Sequence, residues 1–133
     1  MSPLETELID GVPIVRVRED IDAANAAAVE RRLVDALGPD ALSLIVDLGD
    51  TRYLDSAGID MLLRLADRLH HRRARLMLVI PDTSHLKRLA TIVGLAHAIA
   101  IHASLPEAVR QAAQQPTAPA VASRLASDES TAG

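Results

Sequence analysis

The chain divides into short apolar runs and longer stretches in which apolar residues recur every three or four positions. Short runs are typical of β-strands, and the longer period is typical of the buried face of an α-helix. The runs predict five strands, at residues 4–9, 13–17, 42–48, 75–80 and 98–102. Asp10-Gly11 between the first two suits a tight hairpin turn, so those two strands are expected to pair antiparallel.

The helical period predicts four helices, at about residues 26–37, 56–72, 84–93 and 104–113. Because strands and helices alternate after the hairpin, the sequence predicts an α/β fold with parallel crossovers. We expect a mixed sheet of four to five strands packed with about four helices. The residues expected to face inward are Ala26, Val29, Leu33 and Leu37; Ile59, Leu62, Leu63, Ala66 and Leu69; Leu86, Leu89, Ala90 and Val93; and Leu105, Ala108 and Val109.

Length and composition indicate one folded domain. The chain has 133 residues, of which 49% are hydrophobic and 24% charged, as in globular proteins. From Gln114 onward Pro, Ala, Ser and Thr dominate without a period. A segment of that kind cannot bury enough apolar area to offset the entropy of ordering. We therefore predict a domain over residues 1–113 and a disordered tail over residues 114–133.

Charge and residue counts exclude several functions. The formal net charge of −4 argues against a nucleic-acid binder, which needs a clustered positive surface. The absence of cysteine excludes disulfides and thiol catalysis. No basic and apolar leader begins the chain, and no apolar run reaches the 18 or so residues of a membrane span. The expectation is a cytoplasmic protein without direct membrane insertion.

Asp47, Asp50 and Asp55 follow the central strand, where open α/β sheets place their sites. Three carboxylates there could hold Mg²⁺, as in a domain that is phosphorylated on aspartate. Such a domain also needs an acidic pair after its first strand, and Ile9-Asp10-Gly11 offers one acid. Turn and capping roles are therefore favoured for the three acids.

No motif in the sequence predicts catalysis. The chain has no Gly-rich phosphate loop and no Gly-x-Ser-x-Gly elbow. His70 and His71 are adjacent on a predicted helix, so their side chains diverge and cannot share a metal ion. The sequence thus predicts a chain that is not an enzyme and has no metal or cofactor of its own.

Ser56 stands at the junction between the central strand and the second helix. One interpretation makes it the N-cap, whose oxygen accepts an unpaired N–H of the first helical turn. Asp55 is an equally good cap, however, and Ala57-Gly58 leave a low surface that a partner can approach. Phosphorylation at this position would add about −1.5 to −2 charges. Ser56 is therefore also a candidate modification site.

The stretch YLDSAGI after a strand ending in VDL resembles the signature of STAS domains, specifically of bacterial anti-sigma factor antagonists. The resemblance extends over roughly residues 5–113. Ile21-Asp22 is similar to the family's aspartate before the first helix, and Leu86–Leu89 with Val93-Gly94-Leu95 is similar to its third-helix pattern. The resemblance implies a STAS-like single domain.

It also implies a partner switch in transcription regulation, such as a stress response. The serine matching Ser56 would be phosphorylated by an anti-sigma factor serine kinase with a histidine-kinase-like ATPase fold. The unphosphorylated form would bind that kinase and free a sigma factor, and a PP2C-type phosphatase would reset the cycle. ATP and Mg²⁺ would belong to the kinase. The partner-binding residues implied are Asp22, Asp55, Ser56, Ala57, Gly58 and Ile59, with Asp60 adding negative charge beside them.

Two alternatives stay open. A STAS-like module that is never phosphorylated would serve as a docking subunit of a transporter or a sensory complex. A Mg²⁺-dependent phospho-acceptor domain would use Asp47, Asp50 and Asp55.

Overall fold

Strands and helices alternate along the chain as the hydrophobic pattern predicts. The structure is a computed structural model and describes residues 4–114. Of the predicted tail, only Gln114 falls inside this range, and it is the last residue of the fourth helix; the remainder lies outside the described residues. The elements are β1 (Leu4–Ile9), β2 (Val12–Val17), α1 (Ala26–Leu37), β3 (Ser43–Asp47), α2 (Ser56–His71), β4 (Arg75–Val79), α3 (His85–Ile92), a 3₁₀ turn (Leu95–His97), β5 (Ala100–His102) and α4 (Leu105–Gln114).

The five strands form one sheet in the order β1-β2-β3-β4-β5. β1 and β2 pair antiparallel with Ile9 opposite Val12, and every later pair is parallel. The predicted hairpin is confirmed. Asp10 and Gly11 both have positive φ, at 53° and 79°, as the two central residues of a type I′ turn require. The mixed sheet and the parallel crossovers are likewise as predicted.

The sheet is covered unequally on its two faces. The larger buried cluster lies between one face and helices α1, α2 and α3. The smaller cluster lies between the other face and α4 alone, where Ala108, Val109 and Ala112 meet Ile45 and Met77. The side chains of each strand alternate between the clusters, as the pleat requires. Within residues 4–114, no helix is long and apolar enough to cross a bilayer.

The predicted inward face of α2 is rotated from the observed one. The fully buried side chains are Met61, Leu62, Leu65 and Leu69, whereas Leu63 is 37% exposed. The apolar stripe of this helix is wider than its contact with the sheet, so the 3.6-residue period alone does not select its centre. The prediction was wrong for Leu63 and did not include Met61 or Leu65.

The prediction that Val93 faces inward was also wrong. α3 ends at Ile92, and Val93 is 46% exposed at its C-cap. Gly94 follows with φ of 69°, in the left-handed region that favours glycine. The turn that it makes brings Leu95, rather than Val93, into the core.

Candidate functional site

Two loops lie side by side at the carboxyl end of the parallel strands. One follows β2 and the other follows β3, and a parallel bridge joins Ile21 to Leu54. The Ile21 N–H donates to the Tyr53 carbonyl at 3.1 Å, and the Asp55 N–H donates to the Ile21 carbonyl at 3.2 Å. This pairing places Asp22, at the entrance to α1, beside Asp55, at the entrance to α2. The two junctions that the sequence singled out therefore form one surface.

Asp20 fastens the second loop to the first. Its Oδ1 accepts the backbone N–H groups of Arg52 at 2.9 Å and Tyr53 at 3.1 Å. A second, buried contact joins the second loop to the end of β2: the Thr51 hydroxyl donates to the Val17 carbonyl at 2.8 Å. Sequence reasoning missed Asp20 as a site residue. The available signal was an acid two positions before Asp22, although its acceptor role depends on a contact across more than 30 residues.

Asp22 organises the start of α1. Its Oδ1 accepts the N–H groups of Ala24 at 2.9 Å and Asn25 at 3.2 Å. In return, the Asn25 side-chain oxygen accepts the Asp22 N–H at 2.9 Å. The half-buried Asp22 carboxylate is thus held in a fixed position at the edge of the surface.

Asp55 joins the two helix entrances. Its Oδ1 accepts the Gly58 N–H at 3.1 Å and so caps α2, while its Oδ2 accepts the Ala23 N–H at 3.3 Å. The interpretation of Ser56 as the N-cap was therefore wrong. Asp55 rather than Ser56 takes the cap, because its carboxylate has two oxygens: one caps α2 while the other accepts the Ala23 N–H. Ser56 is the first residue of α2 and is exposed.

Gly58 lets α2 approach the first loop closely. A Cβ added there would lie 3.0 Å from the Ile21 carbonyl oxygen and 3.1 Å from the Ile21 Cγ2. Gly58 is itself buried, whereas its neighbours Ala57 and Ile59 are half-buried and Asp60 is exposed. Of the predicted partner-binding residues, Ser56 and Asp60 offer the most surface, and Gly58 sets the position of the helix that carries them.

The remaining predicted acids do not converge on one point. Asp47 Oδ1 accepts the Gly49 N–H at 2.9 Å, and its other oxygen lies 3.7 Å from Arg16. Asp50 lies 3.8 Å from Arg18. Among the described residues, no group of three or more His, Asp or Glu side chains is placed to hold a metal ion. A shallow cleft of about 500 Å³ beside these pairs carries charges of both signs.

The model of the STAS domain family matches residues 3–108. The chain belongs to the STAS domain family. Among proteins with curated descriptions, none matches the sequence. The exposed serine thus stands at the start of the second helix of a STAS domain.

Solved structures of STAS-like proteins share the fold. An anti-sigma factor antagonist from Mycobacterium paratuberculosis has a TM-score of 0.74 at 22% identity, over 84% of this chain and 93% of that one. The Bacillus cell fate determinant SpoIIAA in its phosphorylated form has a TM-score of 0.60 at 15% identity, over 81% and 97%. The murine anion transporter Slc26a9 has a TM-score of 0.65 at 21% identity, over 78% of this chain and 18% of the transporter. At these identities the similarity concerns the fold.

Proposed function

We propose that this STAS domain is an anti-sigma factor antagonist that acts by phosphorylation-controlled partner switching. One observation carries the proposal: the exposed Ser56 hydroxyl has no capping duty, because Asp55 caps α2. Within residues 4–114 the Ser56 side chain makes no hydrogen bond. It is therefore presented at the first position of the helix and can be modified without loss of a native contact.

Phosphorylation of Ser56 would change the surface more than the fold. The added charge of about −1.5 to −2 would be favoured by the positive end of the α2 dipole and opposed by Asp55 and Asp60. These contributions oppose each other, so the free energy of unfolding is expected to change little. A partner surface that fits the unphosphorylated serine would have to desolvate the phosphate beside existing carboxylates. A hundredfold loss of affinity needs about 2.7 kcal/mol.

The partner in this proposal is an anti-sigma factor serine kinase with a histidine-kinase-like ATPase fold. The kinase would supply ATP and Mg²⁺, and the Ser56 Oγ would take the γ-phosphoryl group with release of ADP. A PP2C-type phosphatase would restore the free hydroxyl by hydrolysis. The chain itself would perform no catalysis and need no cofactor, and the cycle would run in the cytoplasm. The proposal is supported by the proteins that share this fold, among them an anti-sigma factor antagonist and SpoIIAA in a phosphorylated form.

Two substitutions at Ser56 test the switch. Ser56→Ala and Ser56→Asp baits are exposed to the native cell lysate, and the bound proteins and the phosphorylation state of wild type are identified by mass spectrometry. We expect an ATPase-fold kinase on the Ala bait, at least tenfold less on the Asp bait, and phosphoserine at residue 56 in wild type. Both baits should unfold at the same urea concentration. Equal capture of the kinase by the two baits would contradict the proposal.

A second candidate function is a docking subunit that is never phosphorylated. The similarity to part of the anion transporter Slc26a9 favours this candidate. It predicts that both baits retain the same transporter or multi-subunit partner and that no growth condition yields a phosphorylated form. That outcome would leave Ser56 as an unmodified surface residue.

A further inference from the structure

We propose that Arg52 and Tyr53 are the anchor through which the kinase partner grips this domain, with Tyr53 filling an apolar pocket of the kinase and Arg52 pairing with a carboxylate at its rim. The proposal rests on the proposed function, because it concerns the same partner. It adds two residues that precede Ser56 in the sequence. They would supply much of the binding energy and set the orientation of the two proteins in the complex.

The backbone that carries these two side chains is held rigidly. Both N–H groups donate to Asp20 Oδ1, and the Tyr53 carbonyl accepts the Ile21 N–H. The residues on either side, Thr51 and Leu54, are buried. Arg52 and Tyr53 are therefore the exposed part of a loop that is fixed at its base. A side chain presented by a rigid backbone loses less entropy on binding than one on a mobile loop.

Tyr53 is an unusual residue for this chain. It is the only aromatic residue among 133, and it is 55% exposed rather than part of the core. Tyrosine and arginine are the residue types enriched, with tryptophan, at the energetic centres of interfaces. Three residues of chain span at most about 11 Å, and a standard interface covers about 800 Å² of each partner. A partner whose contact surface is centred on Ser56 is therefore large enough to cover Tyr53 as well.

Arg52 is a cation without a partner among the described residues. It is the only basic residue between Asp47 and Asp60 in the sequence, and residues 19–25 across the loop pair contain none. Of the four acids in that stretch, Asp47 and Asp50 pair with Arg16 and Arg18, which leaves Asp55 and Asp60 as the acids beside Ser56. Within residues 4–114, its guanidinium makes neither an ion pair nor a hydrogen bond, although acids lie on both sides of it in sequence. Arg18 and Arg64, by contrast, each pair with a carboxylate. A partner surface complementary to the acids is cationic, but it needs one acid opposite Arg52. Arg52 therefore fixes the register in which the two surfaces dock.

The test measures the affinity of the purified kinase, captured with the Ser56→Ala bait, for further variants made in the Ser56→Ala background. Tyr53→Ala should weaken binding about thirtyfold, which corresponds to about 2 kcal/mol. Tyr53→Phe should stay within threefold, because the ring provides the contact. Arg52→Ala should weaken binding about tenfold and reduce its dependence on salt concentration. Matched controls are Ile92→Ala, an exposed apolar residue at the end of α3, and Arg110→Ala, an exposed cation on α4; both should bind normally.

The outcomes separate the inference from the proposed function. If the Ser56→Ala bait captures the kinase but Tyr53→Ala or Arg52→Ala binds it with unchanged affinity, the anchor is overturned while the switch stands. If no bait captures a kinase, both are overturned. Urea unfolding checks that each variant is folded, and Tyr53→Thr, which suits an extended backbone, replaces Tyr53→Ala if that variant is unstable.

Discussion

Gly58 and Ile21 define how closely α2 approaches the loop that precedes α1. The glycine occupies the third position of the helix, where alanine would ordinarily be the better helix former by about 1 kcal/mol. A Cβ there would lie only 3.0–3.3 Å from the Ile21 carbonyl oxygen and side chain, so the two elements would have to move apart by a few tenths of an ångström. The contact explains why a poor helix former stands at the start of a helix that presents the candidate serine.

We predict that Gly58→Ala lowers the free energy of unfolding by about 1–3 kcal/mol, because the added methyl group must push α2 away from the Ile21 backbone. Urea denaturation measures the change. Ala28→Gly is the matched control, since Ala28 is exposed and holds the same third position in α1. It should cost up to about 1 kcal/mol through helix propensity alone. A Gly58→Ala variant more stable than wild type would refute this account of the close approach.

The role of each residue at the helix entrance depended on information that the local sequence does not contain. Asp55 and Ser56 are both good N-cap residues, and the sequence left the choice between them open. Asp55 is selected because its second oxygen accepts the Ala23 N–H from a loop 32 residues away. The importance of Asp20 was hidden for the same reason. The presence of a candidate surface around Ser56 was predictable, but its internal hydrogen bonds were not.

At the scale of elements, the rotation of α2 decides which side chains are available to a partner. The sheet-facing side is centred on Leu62 and Leu65, so Leu63 lies at the margin of the exposed surface. Periodicity located this helix to within one residue, but it placed the buried face incorrectly. The apolar residues of α2 cover more than half a turn, and only the packing against β4 and α1 distinguishes the centre of that stripe from its edge.

Paired truncations on this helix provide a test of the rotation. Leu65→Ala removes a fully buried side chain and should cost about 2–5 kcal/mol of unfolding free energy. Leu63→Ala removes the same atoms from a 37% exposed position and should cost about 1 kcal/mol or less. Both changes are read from urea denaturation at equal protein concentration. Equal costs for the two substitutions would mean that Leu63 and Leu65 are equally buried and would contradict the observed rotation of α2.

For the whole molecule, the class and the number of elements were predictable because alternating periods leave few arrangements. The hairpin turn fixed the antiparallel pair, and the helices between later strands required parallel crossovers. The crossover rule does not state which helix covers which face. The alternation of Ile45 and Met77 with their neighbours shows that both faces of the sheet are buried, and the structure shows that α4 covers one of them.

The predicted domain boundary near residue 113 stays a prediction, and a shortened chain tests it. Every residue of the two buried clusters lies between Leu4 and Ala112. A chain ending at Gln114 should therefore unfold in a single transition, with a free energy within about 1 kcal/mol of the full chain. Urea denaturation of both chains measures the difference. A larger loss would assign a share of the stability to residues 115–133.

Ion pairs that join β1 to arginines in and just after β2, on the sheet face that α4 covers, affect how two molecules can pair. β1 is an edge strand, and such strands invite pairing with the same strand of another molecule. Glu5 and Glu7 project from it, each 3.0 Å from an arginine, Arg18 or Arg16 respectively. Exposed pairs of this kind add little to stability. Two molecules joined along β1 would bring four glutamates and their arginines together, and charged side chains on an edge strand disfavour such pairing.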